Sequence, residues 1–227
     1  MKIAILGTGP VGQTLAAKLD SLGHAVTIGT RDVRDTLARD ATDAFGNPPY
    51  KVWAAAHPNV QLETMANAAA RGELVINALS GAGTLAGLDL AGEANLAGKI
   101  VLDLSNPLDF SKGMPPSLLV SNTDSLGEQV QRRFPEARIV KTLNTVNAYL
   151  MVDPGQLAGG DHTMFVSGND PQARRQAAGW LKEWFGWRDV LELGDITTAR
   201  GTEMLLPLWA RTWGALNTPM FSFRVVR

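Results

Sequence analysis

The chain has 227 residues, with 22 acidic and 21 basic side chains for a formal net charge of −1, and is 45% hydrophobic. That length fits one large domain, or one with a small appendage, and the apolar content excludes a disordered chain. The balanced charge leaves no basic field for nucleic acid or an anionic membrane, and the lack of cysteine excludes disulfides, thiol nucleophiles and thiolate metal sites.

No uncharged run reaches the length of a membrane-spanning helix, and the start of the chain has no basic region or cleavage site, so a cytoplasmic protein is expected. Lys2 to Leu6 is a short, apolar, Ile-rich strand of the buried parallel kind. Val11, Leu15, Ala16, Leu19 and Leu22 recur at helical spacing before Gly23, and Ala25 to Thr30 reads as the second strand, which completes a βαβ unit. A helix over 33–45 follows, then a loop around Asn47, Pro48 and Pro49, a short strand at Val60 to Leu62 and a helix from Thr64 to Arg71. Leu74 to Leu79, Ile100 to Leu104 and Arg138 to Leu143 are further buried strands, with an amphipathic segment from Ser125 to Phe134 between the last two. Six strands alternating with helices predict a doubly wound, mainly parallel Rossmann sheet. Beyond residue 150, strands at Met164 to Ser167 and Val190 to Leu193, helices at Pro171 to Phe185 and Arg200 to Leu216, and a closing strand at Phe221 to Val226 form a small α+β extension packed on that sheet. The expected division is therefore a nucleotide-binding part over 1–150 and a C-terminal part over 151–227 on the acceptor side.

Gly7-Thr8-Gly9-Pro10-Val11-Gly12 is a G-x-G-x-x-G string that follows a strand and opens a helix, the context in which it binds a dinucleotide. Gly7 permits the turn, Gly9 lets a pyrophosphate approach the backbone, Gly12 lets helix and strand pack, and the helix-start amides face the phosphates. An NAD site places a carboxylate near the end of the second strand; here that position is Thr30, followed by Arg31 and Arg34, whose guanidinium groups suit a 2′-phosphate. NADP is the expected cofactor. Asp32 leaves NAD open, because a two-residue shift would carry it to the ribose.

The segments KIAILGTGPVGQTLAAKLDSLGHAVTIGTR, DLSNPL, VKTLNTVNA and FSFRVVR together resemble the NADPH-dependent reductases of the 8-hydroxy-5-deazaflavin coenzyme F420, a group that includes the nucleotide domains of ferric reductases. The resemblance runs through nearly the whole chain, loosely over 33–72. It implies that Thr8 to Val11 hold the pyrophosphate and that Thr30, Arg31 and Arg34 hold the 2′-phosphate. It also sets Asn77, Ala78 and Leu79 beside the nicotinamide ribose, with Ser105, Asn106, Pro107 and Asn144 nearby. Turn chemistry alone accounts equally well for Ser105 to Pro107. Asn77 and Asn144 end apolar strands and need amide partners, which a carboxamide could supply.

The implied reaction is hydride transfer between nicotinamide and a deazaflavin or flavin-like acceptor, which needs two rings in contact and no side-chain acid or base. Lys141 is the best candidate proton donor if the substrate is a carbonyl, with a structural role at a strand end as the alternative. His24, His57 and His162 lack partners at metal-ligand spacing, so no metal is expected. Met204, Leu205 and Trp209 follow family position into an acceptor pocket. Trp180, Trp184, Trp187, Trp209 and Trp213 could cover a planar ring, but core or homodimer packing is the plainer reading. The competing functions are a dehydrogenase or reductase of a small organic substrate and a non-catalytic NADP(H) sensor.

Overall fold

A computed structural model describes residues 1–43 and 46–227. Its strands are β1 (Lys2–Leu6), β2 (Ala25–Thr30), β3 (Gln61–Thr64), β4 (Leu74–Asn77), β5 (Ile100–Asp103), β6 (Leu108–Asp109), β7 (Ser117–Leu118), β8 (Arg138–Thr142), β9 (Thr163–Ser167) and β10 (Asp189–Gly194). Its α-helices are α1 (Pro10–Ser21), α2 (Val33–Ala38), α3 (Tyr50–Ala56), α4 (Met65–Arg71), α5 (Thr84–Ala91), α6 (Glu93–Leu96), α7 (Leu126–Arg133), α8 (Ala148–Val152), α9 (Pro171–Phe185), α10 (Ala199–Met204) and α11 (Leu206–Leu216). β1, β4 and β5 are almost purely aliphatic and buried on both faces, as the centre of a parallel sheet must be. Alternate residues of β1 serve opposite cores. Ile3 and Ile5 pack with Leu15 and Leu19 of α1 and with residues of α8 and α9, while Ala4 and Leu6 pack with α4, α5 and α7. Helices therefore cover both faces, and the fold is the doubly wound Rossmann type.

The sheet has eight strands in the order β10-β9-β8-β5-β4-β1-β2-β3. β1 pairs in parallel with β2 and β4 on its two sides, and the chain reverses its direction of winding between β1 and β4. The extension joins this sheet at its edge: β9 runs antiparallel to β8 and parallel to β10. Among the described residues no helix is long and apolar enough to cross a membrane.

Three segments differ from expectation. The helix expected over 33–45 ends at Ala38, where Arg39 turns extended, and its residues 44 and 45 lie outside the described residues. The helix expected from Arg200 to Leu216 divides at Leu205, because Pro207 in the first turn of α11 cannot donate a backbone bond to the preceding turn. Phe221 to Val226 makes no strand. β8 pairs with only the last residues of β9, so Thr163 lies beyond its reach, and its N–H donates instead to the Phe223 carbonyl at 3.0 Å.

Candidate active site

Sterics at the β1–α1 turn, from the loop after β4 and from the turn itself, explain two of its glycines. Gly7 has φ +123°, and a Cβ there would stand 2.7 Å from the Ala78 carbonyl oxygen; a Cβ on Gly12 would fall on the carbonyl oxygen of Gly7. Gly9 is different, because its Cβ would meet no protein atom within 4 Å. The open space above Gly9 is what a bound phosphate needs. Gly9 caps α1 and Pro10 opens it, so the Val11 and Gly12 amides lie in a first turn that has no i−4 acceptors. Gln13 fixes the turn from behind, its side chain donating to the Thr8 carbonyl at 2.8 Å.

At the end of β2, Thr30 is buried and its hydroxyl pairs with that of Thr36 at 2.7 Å, while the Thr36 hydroxyl also contacts the Asp32 carbonyl at 2.7 Å. Asp32 caps α2, its carboxylate accepting from Asp35 N at 2.9 Å, and it lines neither cavity beside the turn. The carboxylate that kept NAD open is therefore a helix cap. Arg31 lines a cavity of about 270 Å³ with Gly7, Thr8, Thr30 and Leu79. Arg39 lines that cavity too, and also a second of about 400 Å³ along Thr8, Gly9, Pro10 and Gln13. Arg34 lines neither. Among the described residues, no carboxylate pairs with Arg31 or Arg39. Two unpaired guanidinium groups on one cavity, beside a satisfied threonine, fit a phosphate dianion. Sequence reasoning missed Arg39 because the expected longer helix put it in mid-segment.

Asn77 ends β4 fully buried, and its amide is already engaged: Nδ2 donates to Asp103 Oδ1 at 2.8 Å and Oδ1 accepts from Leu79 N at 3.3 Å. Asn144 and Asn106 satisfy one another, Asn144 Nδ2 donating to Asn106 Oδ1 at 3.0 Å and Asn106 Nδ2 to the Asn144 carbonyl at 2.9 Å. Each of these three amide groups thus has at least one partner within the protein and does not depend on a carboxamide for one. Leu143, immediately before Asn144, holds φ 60°, a left-handed conformation that a leucine adopts only when its surroundings enforce it. A Cβ on Gly81 would fall on the Asn106 carbonyl oxygen, so the loops after β4 and β5 touch directly. Half-buried Ala78 and Leu79, with Ser105, Asn106 and Pro107, are thereby gathered beside the glycine turn at the carboxyl ends of the strands.

Lys141 is wholly buried in β8. Its Nζ lies 2.8 Å from Asp103 Oδ2 and 2.8 Å from Glu203 Oε1, and it donates to the Ser105 carbonyl at 2.7 Å. Burial alone would lower its pKa, but the Asp103 and Glu203 carboxylates reverse this and hold the ammonium above the ordinary lysine value. With three acceptors and no exposure, Lys141 braces the structure and offers no proton to a substrate. Sequence analysis missed both of its carboxylate partners.

Beyond Pro107, the β6–β7 ribbon faces α11 across a small apolar cavity lined by residues that include Leu108, Phe110, Met114, Trp209 and Trp213. A larger opening of about 480 Å³ adjoins it and shares Met114, Ala210 and Trp213. Of the three residues expected at an acceptor pocket, Trp209 lines this cavity, while Met204 takes the Asn122 N–H on its sulfur and Leu205 sits at the helix break. The Trp209 indole Nε1 is buried with no hydrogen-bond partner. The other tryptophans divide: Trp187 donates to the Met151 carbonyl at 3.1 Å in the core, and Trp184 stacks on Trp180 at 5.0 Å, both away from this cavity. Of the histidines, His57 stacks on Trp53 at 4.2 Å, His24 packs on Trp184 at 4.8 Å and His162 packs edge-on to Trp187.

The family profile described as NADP oxidoreductase, coenzyme F420-dependent, matches residues 2–107. The crystal structure of a candidate F420-dependent NADP reductase from Arthrobacter sp. FB24 is similar over 100% of both chains, with 60% identity and a TM-score of 0.95. The F420-dependent NADP reductase of Methanothermobacter marburgensis is 27% identical over 92% of this chain and 90% of its own. Metalloreductase STEAP3 of Rattus norvegicus is 25% identical over 92% of this chain, which spans only 38% of that relative's length.

Proposed function

The chain belongs to the coenzyme F420-dependent NADP oxidoreductase family and is an NADP-dependent oxidoreductase, and on that premise we propose that it exchanges hydride between the nicotinamide and a planar deazaflavin or flavin-like acceptor. The observation that carries this reading is a pair of cavities: one at the glycine turn, lined by Arg31, Arg39 and Leu79, and a separate apolar one under Trp209, lined by the ribbon that follows residues 105–107. Among the described residues, Lys141 is committed to Asp103, Glu203 and the Ser105 carbonyl, and no titratable side chain lines the apolar cavity under Trp209. Ring-to-ring hydride transfer needs none, whereas reduction of a carbonyl or imine calls for a proton donor.

In this reading the Val11 and Gly12 amides hold the pyrophosphate, and Arg31 and Arg39 hold the 2′-phosphate beside Thr30, whose hydroxyl is committed to Thr36. The cofactor, when bound, supplies the hydride. Residues 77–79 and 105–107 fix the nicotinamide edge and keep water away from it. Trp209 and the ribbon residues Leu108 and Phe110 form an apolar wall for the guest, and the free indole N–H meets an acceptor atom on it. Residues 1–150 serve the dinucleotide and 151–227 the acceptor side. We further infer that the protein works as a cytoplasmic homodimer, joined through exposed apolar residues that include Met114 at the larger opening and Leu208 and Leu216 of α11.

Stopped-flow NADPH oxidation tests the reading with 8-hydroxy-5-deazaflavin, free flavin, ferric chelates and a small cyclic imine as separate acceptors. Rapid oxidation by a tricyclic acceptor is expected. Turnover with the imine alone would overturn it in favour of a small-substrate reductase, and tight NADPH binding with no turnover would indicate a sensor.

A further inference from the structure

A buried chain of charge-assisted bonds links α10 to the carboxyl ends of β4 and β5. It begins at Glu203 in α10, the helix that leads into the one bearing Trp209. The two Glu203 oxygens accept from Leu126 N at 2.7 Å and Gly127 N at 2.9 Å, at the start of α7. Oε1 also meets Lys141, which bonds onward to Asp103 and to the Ser105 carbonyl. Asp103 Oδ1 accepts from Asn77 Nδ2 at 2.8 Å and from Ser105 N at 3.1 Å and Oγ at 2.6 Å, and Asn77 then orients Leu79 N–H. Each link is buried except the last, to Leu79 N, which is half-buried.

Ion pairing alone would not call for this arrangement. A buried ionic triad can often be replaced by apolar residues without loss of stability, so its contribution here lies in geometry. One end fixes the loops after β4 and β5, and the other fixes α10 against α7. Gly127 permits the close approach, since a Cβ there would crowd Ala199 Cβ at 3.2 Å and Lys141 Cε at 3.3 Å. Hydride transfer depends steeply on the separation and alignment of the reacting atoms.

We propose that Glu203 is a positioning residue: through Lys141 and Asp103 it holds the strand ends beside the nicotinamide and the helix beside the acceptor at one spacing. This rests on the reading above, in which the nicotinamide lies against residues 77–79 and 105–107.

The test titrates the full-length wild type, Glu203→Gln, Asp103→Asn and Arg200→Gln with NADPH, and reads affinity together with the nicotinamide emission gained at saturation. Glu203→Gln leaves a neutral Lys141–Asp103 pair, and Asp103→Asn leaves a neutral Lys141–Glu203 pair, so neither strands a lone buried charge. Arg200 is the structural control, because it tethers α10 through Glu128 at 2.6 Å without touching Lys141. With Glu203→Gln and Asp103→Asn, affinity is expected to stay within about threefold of wild type while the emission gain falls by about half or more, as a nicotinamide no longer held in one pose requires. Arg200→Gln should lower the melting temperature and keep the emission. Wild-type emission in folded Glu203→Gln overturns the proposal, and so does an equal loss in Arg200→Gln. Should Glu203→Gln unfold, Asp103→Asn decides alone. A wild type that ignores NADPH sinks the functional reading and this proposal together; normal wild-type binding with unchanged variants sinks only the proposal.

Discussion

Cofactor choice is decided by a few side chains at the end of β2. Thr30 is small and satisfied by Thr36, and Asp32 is held as the cap of α2, so no carboxylate repels or replaces a 2′-phosphate there. Arg31 and Arg39 converge on one cavity without acidic partners, whereas Arg34 lines neither cavity of the turn. Arg31→Ala should therefore weaken NADPH binding by about 2 kcal/mol or more and leave NADH nearly unchanged, as loss of a charge-assisted bond to a dianion requires. Arg39→Ala should act in the same direction, and Arg34→Ala should change NADPH affinity by less than about threefold. Calorimetric titration of the three variants with both nucleotides checks the set; equal losses for NADPH and NADH would remove the 2′-phosphate assignment. The sequence supports Arg31 directly, through its place after the strand. Arg39 is not legible in the same way, because its position depends on where α2 stops, and that depends on a short helix giving way to an extended residue.

Whole elements are held at the site by backbone contact and by caps. Gly81 brings the loop after β4 onto the Asn106 carbonyl, and no side chain fits between them. Gly81→Ala should separate the two loops, costing about 1–3 kcal/mol of stability as overpacking does, and should weaken NADPH binding; a urea curve and a titration measure the two effects. At α7, Arg132 grips Asp124 with bonds of 2.9 and 2.8 Å. The hydrogen bond from Arg132 is the main reason that the Asp124 carboxyl is pulled down to about 2. Its folded pKa lies below the unfolded value, so this stabilisation is complete above about pH 4 and is lost as the pH falls towards about 2. Asp124→Asn should flatten the acid limb of the urea midpoint against pH over that window, and an unchanged limb would show that the pair contributes nothing. These features differ in how far the sequence shows them. The glycine turn is readable because its spacing follows a strand and opens a helix and Gly12 answers to Gly7 within the same βα unit, although the atom that crowds Gly7 is the Ala78 carbonyl oxygen after β4. The partner of Asn77 is not legible, because Asp103 comes from another strand, and Glu203 is invisible until the sheet brings α10 over Lys141.

At the scale of the whole molecule, the question is whether the last third of the chain can be separated from the sheet. Alternating strands and helices identify the Rossmann half from the sequence alone, since each buried strand is a local apolar run. The antiparallel joining of β9 to β8 is not legible, because it depends on which sheet edge remains open once six strands are in place. That edge is covered in several ways at once. Lys141 and Thr142 pair with Ser167 and Val166, and the Thr142 hydroxyl donates to the Phe165 carbonyl at 2.8 Å. Met164, Val166, Leu181 and Trp187 belong to the same apolar cluster as Ile5 and Val140. Removing residues 151–227 would expose this strand edge, uncover that cluster and leave Lys141 without Glu203. The full chain should therefore unfold in one transition, with urea curves from circular dichroism and tryptophan emission superimposing, and the fragment 1–150 should aggregate on expression. Two separated transitions, or a soluble fragment that binds NADPH, would mean that the nucleotide-binding half folds alone and that the edge contacts only attach the remainder to it.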